Sequence, residues 1–500
     1  MDVFIVEASS ALNVTWNVNG TVDHAGGFKI ESGTATGAYT SSLAVSATAR
    51  EALLAGLRNG AQHFVAVRAL DSAGATTFTS CEVFARPHVL VFQEDLRVNS
   101  GTSGTQQRPA LASNLEGTRL YLAWDDAGTV TLAHSADFGD TWSAGVAVSA
   151  GGKQANPSVA VRESIVAGDG GVVVAEAVLI AWDEGGQIRV ARFLPSTAAF
   201  ETATTVGAGT RPSVAVGPDA VHLAYENGDG IYHTRSTDEG RTWLTPVSIG
   251  GGTTEAHSPS AVVNQFTGDV YVAWDAKQGP GDTNVYFAGS KDKGATFAAA
   301  ARVDDDSAGQ NQANISLAVD ERSQKIYATW EDRRGGASVR FTWSEDWGAT
   351  FKPSIDVGAG LGGDQFHPRA TIDPARNVYV AFQDTTNGAR VVFSRFSSGG
   401  TFDPPLSPSR SAGSGGVAAD FPAVATDRHG TVYVAWRRTA AAPSSTCSSP
   451  ARNRKRPQVA GRRGHAPGCR LASFSRRRLS RARMSAVDSL PGPPKCEVDP

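Results

Sequence analysis

Five hundred residues exceed what one ordinary core serves, so two or three domains are expected. Gly 54 and Pro 24, without long helix-forming runs, point to many short strands and turns, and no apolar stretch is long enough to span a bilayer. The net charge of −3 is unevenly spread: residues 439–500 hold 13 of the 46 Lys+Arg and 3 of the 49 Asp+Glu. The body is therefore acidic, which argues against a nucleic-acid partner, because phosphate contacts need clustered Lys and Arg.

In chain order, Met-Asp-Val-Phe-Ile-Val-Glu shows neither a basic n-region nor a long apolar h-region, so no signal peptide is visible. Either the protein is cytoplasmic or its true start lies upstream of Met1. Residues 1–88 read as a sandwich with strands at 3–8, 12–18 and 63–70. Trp16, and Leu57-Arg-Asn-Gly-Ala-Gln-His63 in place of a Leu-x-x-Gly-x-x-Tyr corner, resemble a fibronectin type III domain, an immunoglobulin-like sandwich. Residues 89–107 are expected to be a linker, with Glu94–Asn99 as a possible closing strand for the domain beginning at residue 108. Cys81 is the only cysteine of the body, since Cys447, Cys469 and Cys496 lie in the tail. No disulfide framework and no zinc spacing are expected there.

From residue 108 a repeat dominates. Ser-x-Asp-x-Gly-x-Thr-Trp/Phe occurs four times without a mismatch. The copies are Ser135, Asp137, Gly139, Thr141, Trp142; Ser236, Asp238, Gly240, Thr242, Trp243; Ser290, Asp292, Gly294, Thr296, Phe297; and Ser344, Asp346, Gly348, Thr350, Phe351. A fifth, Arg395–Phe402, has Ser397 where Asp is expected, and a decayed copy falls near Phe193–Phe200. Asp238, Asp292 and Asp346 are 54 residues apart. Upstream of each turn runs an alternating strand ending in an aromatic, such as LYLAWDD, VLIAWDE and VYVAWDA. Further upstream is a short strand, usually entered by proline: RPALA, NPSVA, RPSVA, SPSAV, HPRAT, FPAVA. Four antiparallel strands per repeat of this length make a propeller blade. In the turn, Asp can accept backbone N–H bonds and Gly supplies positive φ.

The motif resembles the Asp box (BNR repeat) of sialidase-like β-propellers. The resemblance implies an all-β chain with the propeller at 108–438, seven blades with an incomplete last one, or alternatively six. It also implies that the boxes are structural and face away from the ligand. Residues 439–500 read as a basic low-complexity tail, either disordered or out of frame, because the break falls within a blade.

The opposite face is the expected ligand face, and second-strand ends place acids there: Asp125, Asp126, Asp183, Glu184, Glu226, Asp275, Glu331, Asp332 and Asp384. Such a ring suits Ca²⁺ or a polyhydroxyl ligand; the plainer reading is that repeated acids accept turn or inter-blade hydrogen bonds. No cofactor is otherwise implied. First-strand starts add His257, His367 and Arg369, with Arg108 and Arg211 as further bases. Sialidases hold a carboxylate with three arginines and use a tyrosine nucleophile with a glutamate, plus an aspartate acid/base. Here Arg108-Pro and Arg211-Pro lack the middle residue of the family's Arg-Ile-Pro motif. Tyr121, Tyr271, Tyr327, Tyr379 and Tyr433 share one repeat register, so no tyrosine is singled out. The expectation is an extracellular or cell-surface monomer binding carbohydrate, a surface or protein, without an assignable catalytic set; the rival is a sialidase-like glycoside hydrolase.

Overall fold

The computed structural model describes residues 1–438 except for short segments, the longest being 86–94, 100–105 and 409–417, together with the strand Gly468–Phe474. Every regular element among the described residues is a strand. The chain divides into two compact units.

The first unit holds two antiparallel sheets. Asp2–Ala8, Ala11–Asn17 and Glu51–Ala55 form one. Ser41–Val45, Gly27–Gly33, His63–Leu70 and Thr76–Thr79 form the other, with Val83–Ala85 also on His63–Leu70. The inward residues of both share a single core around Leu12, Val14, Trp16, Phe28, Ile30, Val65 and Val67. Trp16 meets Phe28 at 5.2 Å between ring centroids. Cys81 is disulfide-bonded, which corrects the expectation of a body without a disulfide; counting thiols within the body alone hid this.

The second unit is built of seven successive sheets. The first sheet shows the plan: Gln106–Ser113, Leu120–Asp126, Val130–Ser135 and the short Val146–Ala147 pair in sequence order. First strands of consecutive sheets lie side by side, and the first strand of the first sheet, Gln106–Ser113, also touches that of the seventh, Ala419–Thr426. The ring is thus closed, and the unit is a β-propeller.

Closure explains why second strands are apolar on both faces. Leu120, Leu122 and Trp124 pack with Ala423, Ala425 and Tyr433 of the seventh sheet, whereas Tyr121 and Ala123 pack with Val178, Ile180 and Trp182 of the second. Period-two alternation therefore feeds two inter-sheet cores at once. Trp124, Trp182, Trp274, Trp330 and Trp436 are all at most 1% exposed, and the first four each fill one such seam.

Two details depart from a simple repeat. The first hairpin of the second sheet, Gln154–Gly168 with Gly171–Glu184, is about twice the usual length. Its base is tied to the first sheet, where Glu163 accepts the Leu115 N–H at 2.9 Å and Glu176 pairs with Arg119 at 3.1 Å. In the seventh sheet, Gly468–Phe474 stands third, between Val432–Arg438 and Leu96–Arg97. That strand lies in the segment read as a basic tail, where a seven-residue alternation among arginines is too short to notice. The rest of that segment lies outside the described residues, as do Glu94 and Ser397.

The four Ser-x-Asp-x-Gly-x-Thr turns close alike, each after a third strand. In the first, Ser135 Oγ donates to Asp137 Oδ1 at 2.8 Å and accepts the Gly139 N–H at 2.9 Å. Asp137 Oδ1 and Oδ2 then take the N–H and hydroxyl of Thr141 at 2.8 and 2.6 Å. The other three repeat these bonds within about 0.2 Å. Donors converging on the carboxylate hold Asp238, Asp292 and Asp346 down at about 2.

The turn glycines also serve packing. Gly348 has φ +89°, and a Cβ there would overlap the Phe287 ring of the preceding sheet. Gly335 has φ +93° with nothing near its Cβ position. Gly335→Ala should therefore report backbone strain alone, about 1 kcal/mol, and Gly348→Ala should lose about 2 kcal/mol more from overpacking. Equal urea midpoints for the two variants would refute the close approach.

Candidate functional site: the channel pocket

At the start of every first strand the ladder slips, from Gln107/Ala110 in the first sheet to Asp420/Ala423 in the seventh. The bulged residue has positive φ each time: Arg108, Asn156, Arg211, Ser258, Asn314, His367 and Phe421, at 46–56°. Proline follows it, except for Ile315. Left-handed non-glycine residues cost on the order of 1 kcal/mol or more each and persist only where their surroundings hold them.

The holding groups are the second-strand acids. Glu226 accepts the Ser258 N–H at 2.7 Å, and Glu331 accepts that of His367 at 2.7 Å. Asp183 takes the Arg211 N–H at 3.4 Å and Asp275 that of Asn314 at 3.2 Å. In each case the carboxylate of one sheet clamps the corner of the next. Burial raises the pKa of Asp183, and it lifts Asp275 to about 7. The other acids serve their own turns or neighbours. Asp125 accepts the Gly128 N–H at 2.9 Å, and Asp126 the Gln106 side-chain amide at 2.8 Å. Glu184 approaches Arg189 at 4.0 Å. Asp332 is gripped by Arg334, and Asp384 by Arg390 at 2.8 Å. Among the described residues, no three His, Cys, Asp or Glu side chains converge as metal ligands would.

The corners surround a pocket of about 510 Å³ lined by residues of all seven first strands. Its described lining carries bases and no carboxylate or tyrosine. Arg108 and Arg211 are half-exposed beside Asp125 and Glu226. His257 lies outside the lining, 3.4 Å from Glu226. His367 and Arg369 do line it. His367 Nδ1 meets Gln383 Oε1 at 3.2 Å, its ring lies 4.1 Å from that of Phe421, and burial lowers its pKa. Arg437 covers Phe421 at 4.9 Å while bonding Asp420 at 2.6 Å. The sequence does not single out Phe421, Gln383 and Arg437, because each falls where the other sheets carry a different residue type.

Two residues beyond each bulge the repeat reads Ala110, Ser158, Ser213, Ser260, Ser316, Arg369, Ala423. The serines are structural: Ser158, Ser213, Ser260 and Ser316 each accept a backbone N–H of the next first strand at 3.0–3.1 Å. Arg369 interrupts that row. Its Nη1 donates to the Pro368 carbonyl at 2.8 Å, and the residue is exposed. Desolvation lowers its pKa, with Glu331 partly opposing.

The tyrosines of the second strands lie in the inter-sheet seams. Burial raises the phenol pKa of Tyr121, Tyr271, Tyr379 and Tyr433, the opposite of what an activated nucleophile needs.

No family model matches the chain, and no curated protein does. Among solved structures, it is similar to a protein of unknown function from Dyadobacter fermentans at 16% identity, covering 78% of this chain and 99% of that one with a TM-score of 0.46. It is also similar to a polysaccharide lyase, an ulvan lyase, at 10% identity, covering 55% and 79% with a TM-score of 0.38. NanB sialidase from Streptococcus pneumoniae is similar at 12% identity, covering 86% and 85% with a TM-score of 0.35.

Proposed function

We propose that the protein is an extracellular carbohydrate-binding β-propeller of seven blades, with a fibronectin type III-like domain as spacer, and that it binds through the channel pocket. The carrying observation is the pocket itself, whose corners are braced and whose lining offers cations, prolines, serines and an aromatic ring. Such pre-formed concavities with a few placed polar groups are what small ligands use. Binding is favoured over hydrolysis because the acids near the pocket are engaged by backbone and guanidinium donors, the pocket's described lining holds no tyrosine for a sialidase-like nucleophile, and most other glycosidases need two available carboxyl groups.

The test is a glycan array probed with the full chain, followed by titration of the bound sugars against wild type and Arg108→Ala/Arg211→Ala. Binding weakened by about tenfold in the double variant, roughly 1.4 kcal/mol, is expected. An array without signal, or an unchanged affinity, would reject the reading.

A further inference from the structure

The four inter-sheet braces are not equally anchored. Glu226 receives the Ser258 N–H at 2.7 Å and the Arg211 guanidinium at 3.0 Å. Glu331 receives the His367 N–H and Asn314 Nδ2, both at 2.7 Å, and Asp183 receives Asn156 Nδ2 at 2.7 Å. Asp275, only 5% exposed, has the Asn314 N–H at 3.2 Å and the Ser258 side chain. The charged groups that face it are His257 and Glu226. His257 stands directly opposite Asp275 in the ladder of the fourth sheet, yet its Nδ1 turns to Glu226 at 3.4 Å. Ser258 thus joins two carboxyl groups, Glu226 through its N–H and Asp275 through its side chain. Two carboxylates sharing one site do not both ionise without cost, and a buried charge short of donors sheds its charge instead. Asp275, the one without a guanidinium, is where the proton stays. Ser258 and Asn314 both line the pocket, and both are left-handed, at φ 53° and 56°. Such residues keep that conformation only while their surroundings hold it.

Resting on the reading of the channel pocket as the binding site, we propose that Glu226, His257 and Asp275 form a proton switch in its wall. With the proton on Asp275 the Ser258 and Asn314 corners stay closed, and loss of that proton loosens them. Burial lifts the Asp275 carboxyl to about 7. A group raised in the folded state favours the closed corner at low pH, and that advantage is lost as pH rises through about 7. Ionised Asp275 then faces Glu226 and gains from water that only an opened corner admits. Arg211 on Glu226 and Glu331 on Asn314 Nδ2 remain engaged in either state. A wall already in place costs a ligand less to order, so the pocket binds more tightly below neutrality than above it.

Amide hydrogen exchange of the full chain tests the switch without any sugar, at pH 5.5, 6.5, 7.5 and 8.5 with times scaled to the intrinsic rate. Peptides covering Ser258 and Asn314 should open about tenfold more readily at pH 7.5 than at 5.5. Peptides covering the Asn156 and Phe421 corners should stay level. Asp275→Asn fixes the neutral form and keeps an acceptor for the Asn314 N–H, so its profile should be flat. His257 favours the ionised form of Asp275, so His257→Gln should move the midpoint to higher pH. A flat profile in wild type, or an undiminished slope in Asp275→Asn, would overturn the switch. So would an equal slope at the Asn156 and Phe421 corners, since the response would then belong to the whole ring. Should Asp275→Asn not fold, an unmoved midpoint in His257→Gln overturns it equally. The strongest sugar on the glycan array, titrated at pH 5.5 and 7.5, should bind more tightly at the lower pH, and equal affinities would overturn the link to binding. An array without signal removes the carbohydrate reading alone, because the exchange profiles decide the switch by themselves.

Discussion

Lowering the pH from 7.5 to 4.5 is expected to strip on the order of 4 kcal/mol through one histidine pair, partly offset by Asp275, whose raised carboxyl takes up its proton in the folded chain over the same range. His222 and His233 face each other across the second and third strands of the third sheet, with Nδ1 to Nε2 at 3.2 Å. His233 is fully buried, edge-on to Phe297 at 4.9 Å, and the turn glycine Gly294 lies directly on its ring. Desolvation holds His222 at about 4 and His233 at about 3, against an ordinary 6.5. Folded chains therefore bind fewer protons than unfolded ones between these values. The pair's contribution is complete above about pH 6.5 and declines as pH falls toward 4 and then 3. Urea midpoints measured at pH 7.5, 6.0, 5.0 and 4.5 should fall steadily, and a His222→Leu/His233→Leu variant should show a flatter slope whatever its starting stability. The same pH slope in wild type and in the double variant would refute the pair's role. The turn aspartates act in a separate window. With Asp238, Asp292 and Asp346 at about 2, their contribution is present above about pH 4 and disappears only as pH drops toward 2.

Glu331→Ala should cost about 2–4 kcal/mol, the largest loss expected of any acid near the channel. Glu331 is 3% exposed and receives two bonds of 2.7 Å, from the left-handed His367 N–H and from Asn314 Nδ2. Removing it leaves two part-buried donors without this acceptor and frees the corner it braces. Both bonds reach the same oxygen, Oε1, which Glu331→Gln retains, so that variant should lose less than half as much. Denaturant unfolding with an unchanged m-value checks this. If Glu331→Ala were as stable as wild type and lost only ligand, the acids would be a binding ring and not inter-sheet braces.

The residues themselves explain why some of this could be read in advance. Each Ser-x-Asp-x-Gly-x-Thr turn closes through bonds spanning at most four residues, so local spacing encodes it. The second strands were equally legible, because two covering sheets demand apolar residues at every position. The braces were not. Glu226 answers Ser258, 32 residues later, and nothing in that spacing reveals a left-handed N–H awaiting an acceptor. The acids stand at second-strand ends, but which way their oxygens turn depends on the next sheet. Arg369 is legible in another sense: stacking the first-strand segments aligns it under Ser158, Ser213, Ser260 and Ser316, where it breaks the column. Phe421 stands similarly apart in the bulge column. Gly468–Phe474 had no such column to join.

Leu96–Arg97 precedes the first sheet in sequence yet forms the outer edge of the seventh. The circle is therefore fastened by residues from both its beginning and its end, and no sheet can detach without baring the faces of two others. An open stack of repeats can fray from a terminus in stages. This one lacks a terminus at which to fray, so it should melt in a single transition, with amide exchange in the first and seventh sheets protected as strongly as in the fourth.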